Sequence, residues 1–287
     1  HSVRASKAGT RCRGDRYPDI QAWRGRGLED PQATLRLSVS PWGVHGMVLN
    51  AEGQVFLDPA THSPQKPHPW HQVYFRNDLS PWQAWACAIQ DSGQAERSQQ
   101  ASALAFGGEL RTYRTAVAAN GEYSQFHGGT KLQVLSAIVN VINRVNGIYA
   151  RDAGITLQLI PENDTLIFLD PSTDPLSNNT FSLFVEIQDV IDSLIGTPNY
   201  DVGHVFSTGG GGVANFESVC APTEKAQGVT GLPNPVGDPF AIDFVAHEFG
   251  HQFGADHTFN GTSGACGGQR VGGSAYEPGS GTTIMGY

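Results

Sequence analysis

Nowhere in the 287-residue chain is there an apolar run approaching the roughly 20 residues of a membrane-spanning helix, so no membrane span is expected. Cysteine is scarce. Cys12, Cys87, Cys220 and Cys266 are too few for a disulfide scaffold and show no Cys-x-x-Cys spacing. They suit one or two bridges in an oxidising compartment, or free thiols in a reducing one. Basic residues are also in deficit: 18 Lys+Arg stand against 27 Asp+Glu, for a net charge of −9. The deficit is uneven, +2 over residues 1–107 and −11 over 108–287. An acidic C-terminal part has no electrostatic footprint for nucleic acid, and no nucleic-acid partner is expected. Arg4, Arg11, Arg13, Arg16, Arg24 and Arg26 are diluted by acids and lack interleaved aromatics, which describes a solvated segment rather than a basic arm. The chain opens on His1 without a charged n-region and apolar h-region, so its start is read as internal to the gene product.

What is present is enough apolar material, 39% of residues, for one large domain or two ordinary ones. Residues 1–30 have no period and read as irregular. From residue 31 short apolar runs (33–39, 44–49, 55–57) alternate with turn residues, with Asn50-Ala51-Glu52-Gly53 the clearest turn. Two further strands are expected at 70–75 and 82–89. Residues 31–90 thus form a small β-rich unit with Trp42, Phe56, Trp70, Tyr74, Phe75, Trp82 and Trp85 available for its core. His62, His68 and His71 share no helical or strand spacing and read as surface residues. Residues 91–107, rich in Ser, Gln, Ala and Gly, have the composition of a linker. The pattern then changes to strand (110–118), helix (130–149), strands (154–160 and 165–169), helix (182–195) and strand (200–206). That order implies an α/β (α+β) unit over 108–287 with a mostly parallel sheet.

The most specific signal is His247-Glu248-Phe249-Gly250-His251-Gln252-Phe253-Gly254-Ala255-Asp256-His257. On a helix, His247 and His251 project from one face, a turn apart, where two imidazoles bind one metal ion. Gly254 suits the left-handed conformation that ends a helix and turns the chain, bringing His257 to the same ion. Three imidazoles leave a fourth tetrahedral position open, the mark of a catalytic rather than a structural zinc. Glu248, beside the first ligand, is placed to take a proton from water and return it to a leaving amine. A lone histidine is usually a surface or satisfied core group. Five specified residues at fixed offsets arise by chance in about one chain in 10^4 to 10^5 of this size. Asp238 and Pro239 are expected to start the helix as N-cap and first helical residue.

This motif, followed by Thr283-Ile284-Met285-Gly286-Tyr287, resembles the metzincin metallopeptidases, with their Met-containing turn beneath the zinc site. Gly212-Val213-Ala214 running to Cys220, and Asp256 before the third histidine, resemble the reprolysin (adamalysin) branch, particularly secreted bacterial members. The resemblance spans about residues 109–287. It implies a metzincin catalytic domain with a twisted, mostly parallel sheet over an active-site helix, preceded by a small β-rich unit and cut short at the Met-turn. It implies one catalytic Zn2+, and an extracellular protein or peptide substrate site. Met285 would support the ligands, and Val213, Ala214, Asn215 and Phe216 would form an edge strand pairing with extended substrate. Tyr287 has two open roles, a zinc or oxyanion partner, or a wall of the turn. The glycines at 209–212 are not followed by Lys-Ser/Thr and do not make a phosphate loop.

By the same resemblance residues 1–107 are a propeptide or accessory region. Cys12 or Cys87 is then the candidate for a temporary fourth zinc ligand, with a buried strand cysteine the alternative for Cys87. Cys220 and Cys266 are candidates to pair with each other or with cysteines beyond the chain. No motif supports a Ca2+ site, and nothing sets the oligomeric state. The activity expected is a zinc endopeptidase, presented as a zymogen. The alternatives are a catalytically silent adhesion or binding module on the same fold, disfavoured because no ligand or glutamate is missing, and a zinc hydrolase of non-peptide amides.

Overall fold

The computed structural model describes residues 3–7, 16–61, 69–79, 87–90 and 109–286. Cys12, His62, His68, Trp82, Trp85, the 91–107 linker and Tyr287 therefore lie outside the described residues. The first of two sheets is an antiparallel meander of β1 (Val3–Lys7), β2 (Gln21–Gly27), β3 (Thr34–Ser40), β4 (Gly43–Asn50), β5 (Gly53–Pro59) and β6 (His71–Phe75), in that order. Its hairpins close tightly, with Ser40 opposite Gly43 and Asn50 opposite Gly53. Both glycines take positive φ, +122° and +133°, where a side chain is strained. Residues 1–30 are thus not irregular throughout, since β1 and β2 lie there. β2 pairs with β3 and β1 with β2, partners that a periodicity count over an Arg- and Gly-rich segment does not register.

The second sheet has the order β7-β11-β12-β10-β8-β9, built from β7 (Cys87–Gln90), β8 (Arg111–Ala119), β9 (Ile155–Leu159), β10 (Val202–Ser207), β11 (Gly211–Asn215) and β12 (Gly228–Gly231). β9, β8, β10 and β12 run parallel, β11 is antiparallel to β12, and β7 is parallel to β11. Alternation along β8 sends Val117 and Ala119 to one face and Ala116 and Ala118 to the other. The helices are α1 (Gly121–Phe126), α2 (Lys131–Asp152), α3 (Thr180–Ile195), a π-helix at Pro239–Val245 and, continuing it, α4 (Ala246–Gln252). α3 covers one face through Leu183, Ile187 and Ile191, while α2 and α4 cover the other. The stretch expected as a strand at 165–169 instead holds a 3-10 turn, Asn163–Leu166, and a single bridge from Ile167 to Ala119. There the Asn163 side chain bonds the N–H and C=O of Val117 and takes the place of a strand.

Among the described residues the N-terminal sheet has no core of its own. A single layer buries one face only by docking it, and here Ala22, Met47, Leu49 and Phe56 pack into the same cluster as Val134, Ile138, Val145 and Phe249. Burial of Met47, Leu49 and Phe56 contributes about 1.5–3 kcal/mol each. Of the aromatics expected for a core, Phe56 is fully buried with Tyr74 stacked on it, while Trp70 and Phe75 are 73% and 52% exposed. α2 is consequently buried on both sides, and part of its polar face is paired across the seam. Asn143 donates to Leu37 O and Ser38 Oγ, and Arg36 donates to Asn146 O. Arg144 is ion-paired to Asp58 at 2.6 Å. A buried arginine is tolerated only with such a partner. At Gly147 an added Cβ would lie 2.2 Å from Met47 Cε and 3.1 Å from Arg36 Cγ, so a side chain there would have to displace the tip of Met47.

Candidate metal centre

The active-site helix is pinned from three sides before any ligand is considered. From α2, the Tyr149 hydroxyl donates to Ala246 O at 2.6 Å. From the sheet, His204 on β10 bonds Gln252 Oε1 through Nδ1 and Thr230 through Nε2, both at 2.9 Å, and stacks on Phe249. Burial lowers this imidazole to about 4, so it is a neutral structural group. At the front, Asp238 does not cap the helix. It is itself helical (φ −63°, ψ −45°), and its buried carboxylate binds Arg76 of the N-terminal part at 2.7 Å. Burial raises Asp238 to about 6 against the pull of Arg76. Arg76 also grips Asp243.

α4 carries His247, Glu248 and His251, all fully buried. The helix ends at Gln252, and Gly254 takes φ +86° with Ala255 N–H donating to Gly250 O. That left-handed turn delivers His257. The three Nε2 atoms converge, with His247–His251 at 3.0 Å and His247–His257 at 3.2 Å. Each Nδ1 meets a backbone carbonyl, of Ile284 at 2.7 Å, Ala255 at 2.7 Å and Gln269 at 2.8 Å. A carbonyl only accepts, so each Nδ1 carries the proton and each neutral Nε2 presents a lone pair to the centre. Three lone pairs facing one another at that range repel unless a cation lies among them. Nitrogens bonded at about 2.05 Å to one tetrahedral zinc stand about 3.3 Å apart, so the donor set fits. Burial lowers all three imidazoles, His247 to about 3, which keeps them in the neutral form a metal requires.

The fourth direction is not open to solvent as expected. Cys87 Sγ lies 3.4 Å from His251 Nε2, and the four donor atoms of Cys87, His247, His251 and His257 fall within 4.8 Å of one another. All four residues are buried. Cys87 arrives there because β7 pairs with β11, Cys87 opposite Gly212 and Gln90 opposite Asn215. The strand 213–216 was expected to be a free edge. Instead β11 ends at Asn215, Phe216 lies beyond it, and β7 occupies its outer side. Glu248 has no hydrogen-bond partner for either carboxylate oxygen among the described residues, and burial raises its carboxyl well above the usual range while the Cys87 thiol pulls the other way. Met285 packs under the helix, its sulfur 2.5 Å from where a Cβ on Gly250 would stand. Cys220 and Cys266 do not pair. Both are free, the first exposed at the start of the sheet beside Asp201 and the second buried beside Gly261.

A family model, Metallo-peptidase family M12B Reprolysin-like, matches residues 109–287, more than half of the chain. The chain belongs to that family. This M12B member is a zinc metallopeptidase of mixed α/β fold acting on protein substrates as a class. No curated protein matches it. Among the described residues no helix of the M12B chain is long and apolar enough to cross a membrane. Sequence reasoning named the three histidines that the fold brings together, with Glu248 among them, but not Gln252, His204 and Tyr149, whose only signal is burial. It also left the choice between Cys12 and Cys87 open, because strand addition across a linker has no local signature.

Proposed function

We propose that the chain is a latent zinc endopeptidase in which His247, His251 and His257 hold the metal, Glu248 is the general base and Cys87 closes the site. The observation that carries it is the meeting of three Nε2 lone pairs beside a fully buried carboxylate. Zinc held there supplies Lewis acidity toward a water and a substrate carbonyl. Glu248 takes the proton of the attacking water and delivers it to the departing amine, and its burial keeps that proton affinity high. Met285, Ile284 and the sheet hold the imidazoles in place. β11 offers its main chain to an extended peptide only after β7 has left, so Cys87 and β7 withdraw metal and substrate edge together. An extracellular setting belongs to the same proposal and rests on the family likeness.

The test is metal content and peptide-library cleavage on the full chain opened in the linker, with and without chelator, for wild type and E248Q. Cleavage that chelator and E248Q each abolish, with zinc retained in E248Q, is the expected result. Cleavage that survives in E248Q removes the general base. Zinc uptake with no cleavage of any peptide favours the silent binding module.

A further inference from the structure

Downstream of His257 a second acid is buried in a position the motif does not include. Glu277 is 8% exposed, and five donors converge on its carboxylate. The hydroxyls of Thr258 and Thr283 both reach Oε1 at 2.5 Å. The Thr282 N–H, the Thr282 hydroxyl and the Thr283 N–H reach Oε2 at 2.7, 3.1 and 3.2 Å. Its backbone joins the same segment, with Glu277 N–H donating to Thr258 O and Asn260 N–H to Glu277 O. The two clamped segments each lead directly to a ligand. Thr258 follows His257, and its N–H donates to Met285 O. Thr282 and Thr283 lead into Ile284, whose carbonyl takes the Nδ1 proton of His247.

We propose that Glu277 is a positioning residue of the metal centre, tying the segment that carries His257 to the turn that orients His247. This rests on the zinc site proposed above. Apart from the clamp, Thr258 is tied to the Met285 turn by a long 3.3 Å bond to Met285 O and by a 3.1 Å contact between the Thr258 and Thr283 hydroxyls, whose geometry the shared Glu277 oxygen also sets. The carboxylate is suited to the task because it accepts only and can take all five donors at once. The threonine hydroxyls hold it ionised, at about 2, so the clamp persists at neutral pH. Outer partners of this kind are worth about 10- to 100-fold in metal affinity.

The experiment uses the full chain and reads binding rather than cleavage: zinc affinity by chelator competition, and the visible spectrum of the Co2+-loaded protein as a report on ligand geometry. E277A is expected to weaken zinc about 10- to 100-fold and to shift the cobalt bands. E277Q is expected to recover part of both, since its amide oxygen can face the two N–H groups while the threonine hydroxyls reorient to accept from its NH2. Should E277A fail to fold, T258V, which removes one of the five donors to Glu277 together with the Thr258–Thr283 hydroxyl contact, is expected to shift the cobalt bands with a smaller loss of affinity. Variants that fold and bind zinc within about twofold of wild type with unchanged bands overturn the proposal alone. A wild-type chain that takes up no zinc overturns the metal reading beneath it.

Discussion

Arg144 and Asp58 meet across the seam between the N-terminal sheet and α2, and D58N is the substitution that tests how that seam is held. Arg144 is 2% exposed in its side chain, with Asp58 its ion-pair partner at 2.6 Å, while its Nε and Nη1 have no hydrogen-bond partner among the described residues. Asp58 is better supplied, accepting also from Tyr74 and contacting His45, both at 2.7 Å. Burial alone would raise the Asp58 carboxyl, but Arg144 and His45 bring it down from 3.8 to about 2. Just under two pH units correspond to about 2 kcal/mol at neutral pH. Leaving a buried guanidinium without its counter-charge costs about 3–5 kcal/mol in total. The expected fall in melting temperature is about 6–10 °C. The same energy is about two to three and a half powers of ten in the balance between a docked and a released N-terminal sheet. R144M should cost less than D58N, because Asp58 keeps Tyr74 and His45. The sign of the pH effect follows from the lowered pKa: the stabilisation is full above about 4 and fades as pH falls through 2, so the gap between wild type and D58N should narrow from pH 5 to pH 2. The assay is thermal unfolding across that range. A D58N chain melting within about 1 °C of wild type at pH 7 refutes the reasoning.

The zinc-loaded full chain carrying C87A is expected to cleave peptide about tenfold or more faster than uncut wild type, because β7 then competes for β11 without a ligand to anchor it. A C87A chain as silent as wild type would place latency in the strand alone. At Gly228, an added Cβ would stand 2.4 Å from both Gln252 Oε1 and His204 Nδ1. G228A should therefore break their hydrogen bond and cost about 3 kcal/mol, seen as a lower denaturation midpoint and weaker zinc retention; an unchanged midpoint would show that the sheet yields there.

The catalytic part was legible because its instructions are local. A helix repeat places His247 and His251 on one face, a glycine at φ +86° turns the chain back, and a third imidazole arrives at a fixed offset. None of that needs a distant partner. The apolar stripe of α2 likewise predicted its helix, but not that Asn143 and Arg144 on the other side would be buried, since a sequence period shows one face and says nothing of what covers the opposite one. Tertiary structure alone decided that β1 and β2 join a meander, that the meander has no core apart from α2, and that Asp238 serves Arg76 rather than a helix end. It also chose Cys87 as the thiol at the imidazoles and set Glu277 between two segments that each lead to a ligand. The physical reason is common to all of these. Strand addition and buried charge pairs are made by groups tens to hundreds of residues apart, and the Glu277 clamp by groups 5 to 19 apart with no regular spacing, so their energies exist only once the chain has brought them out of water together.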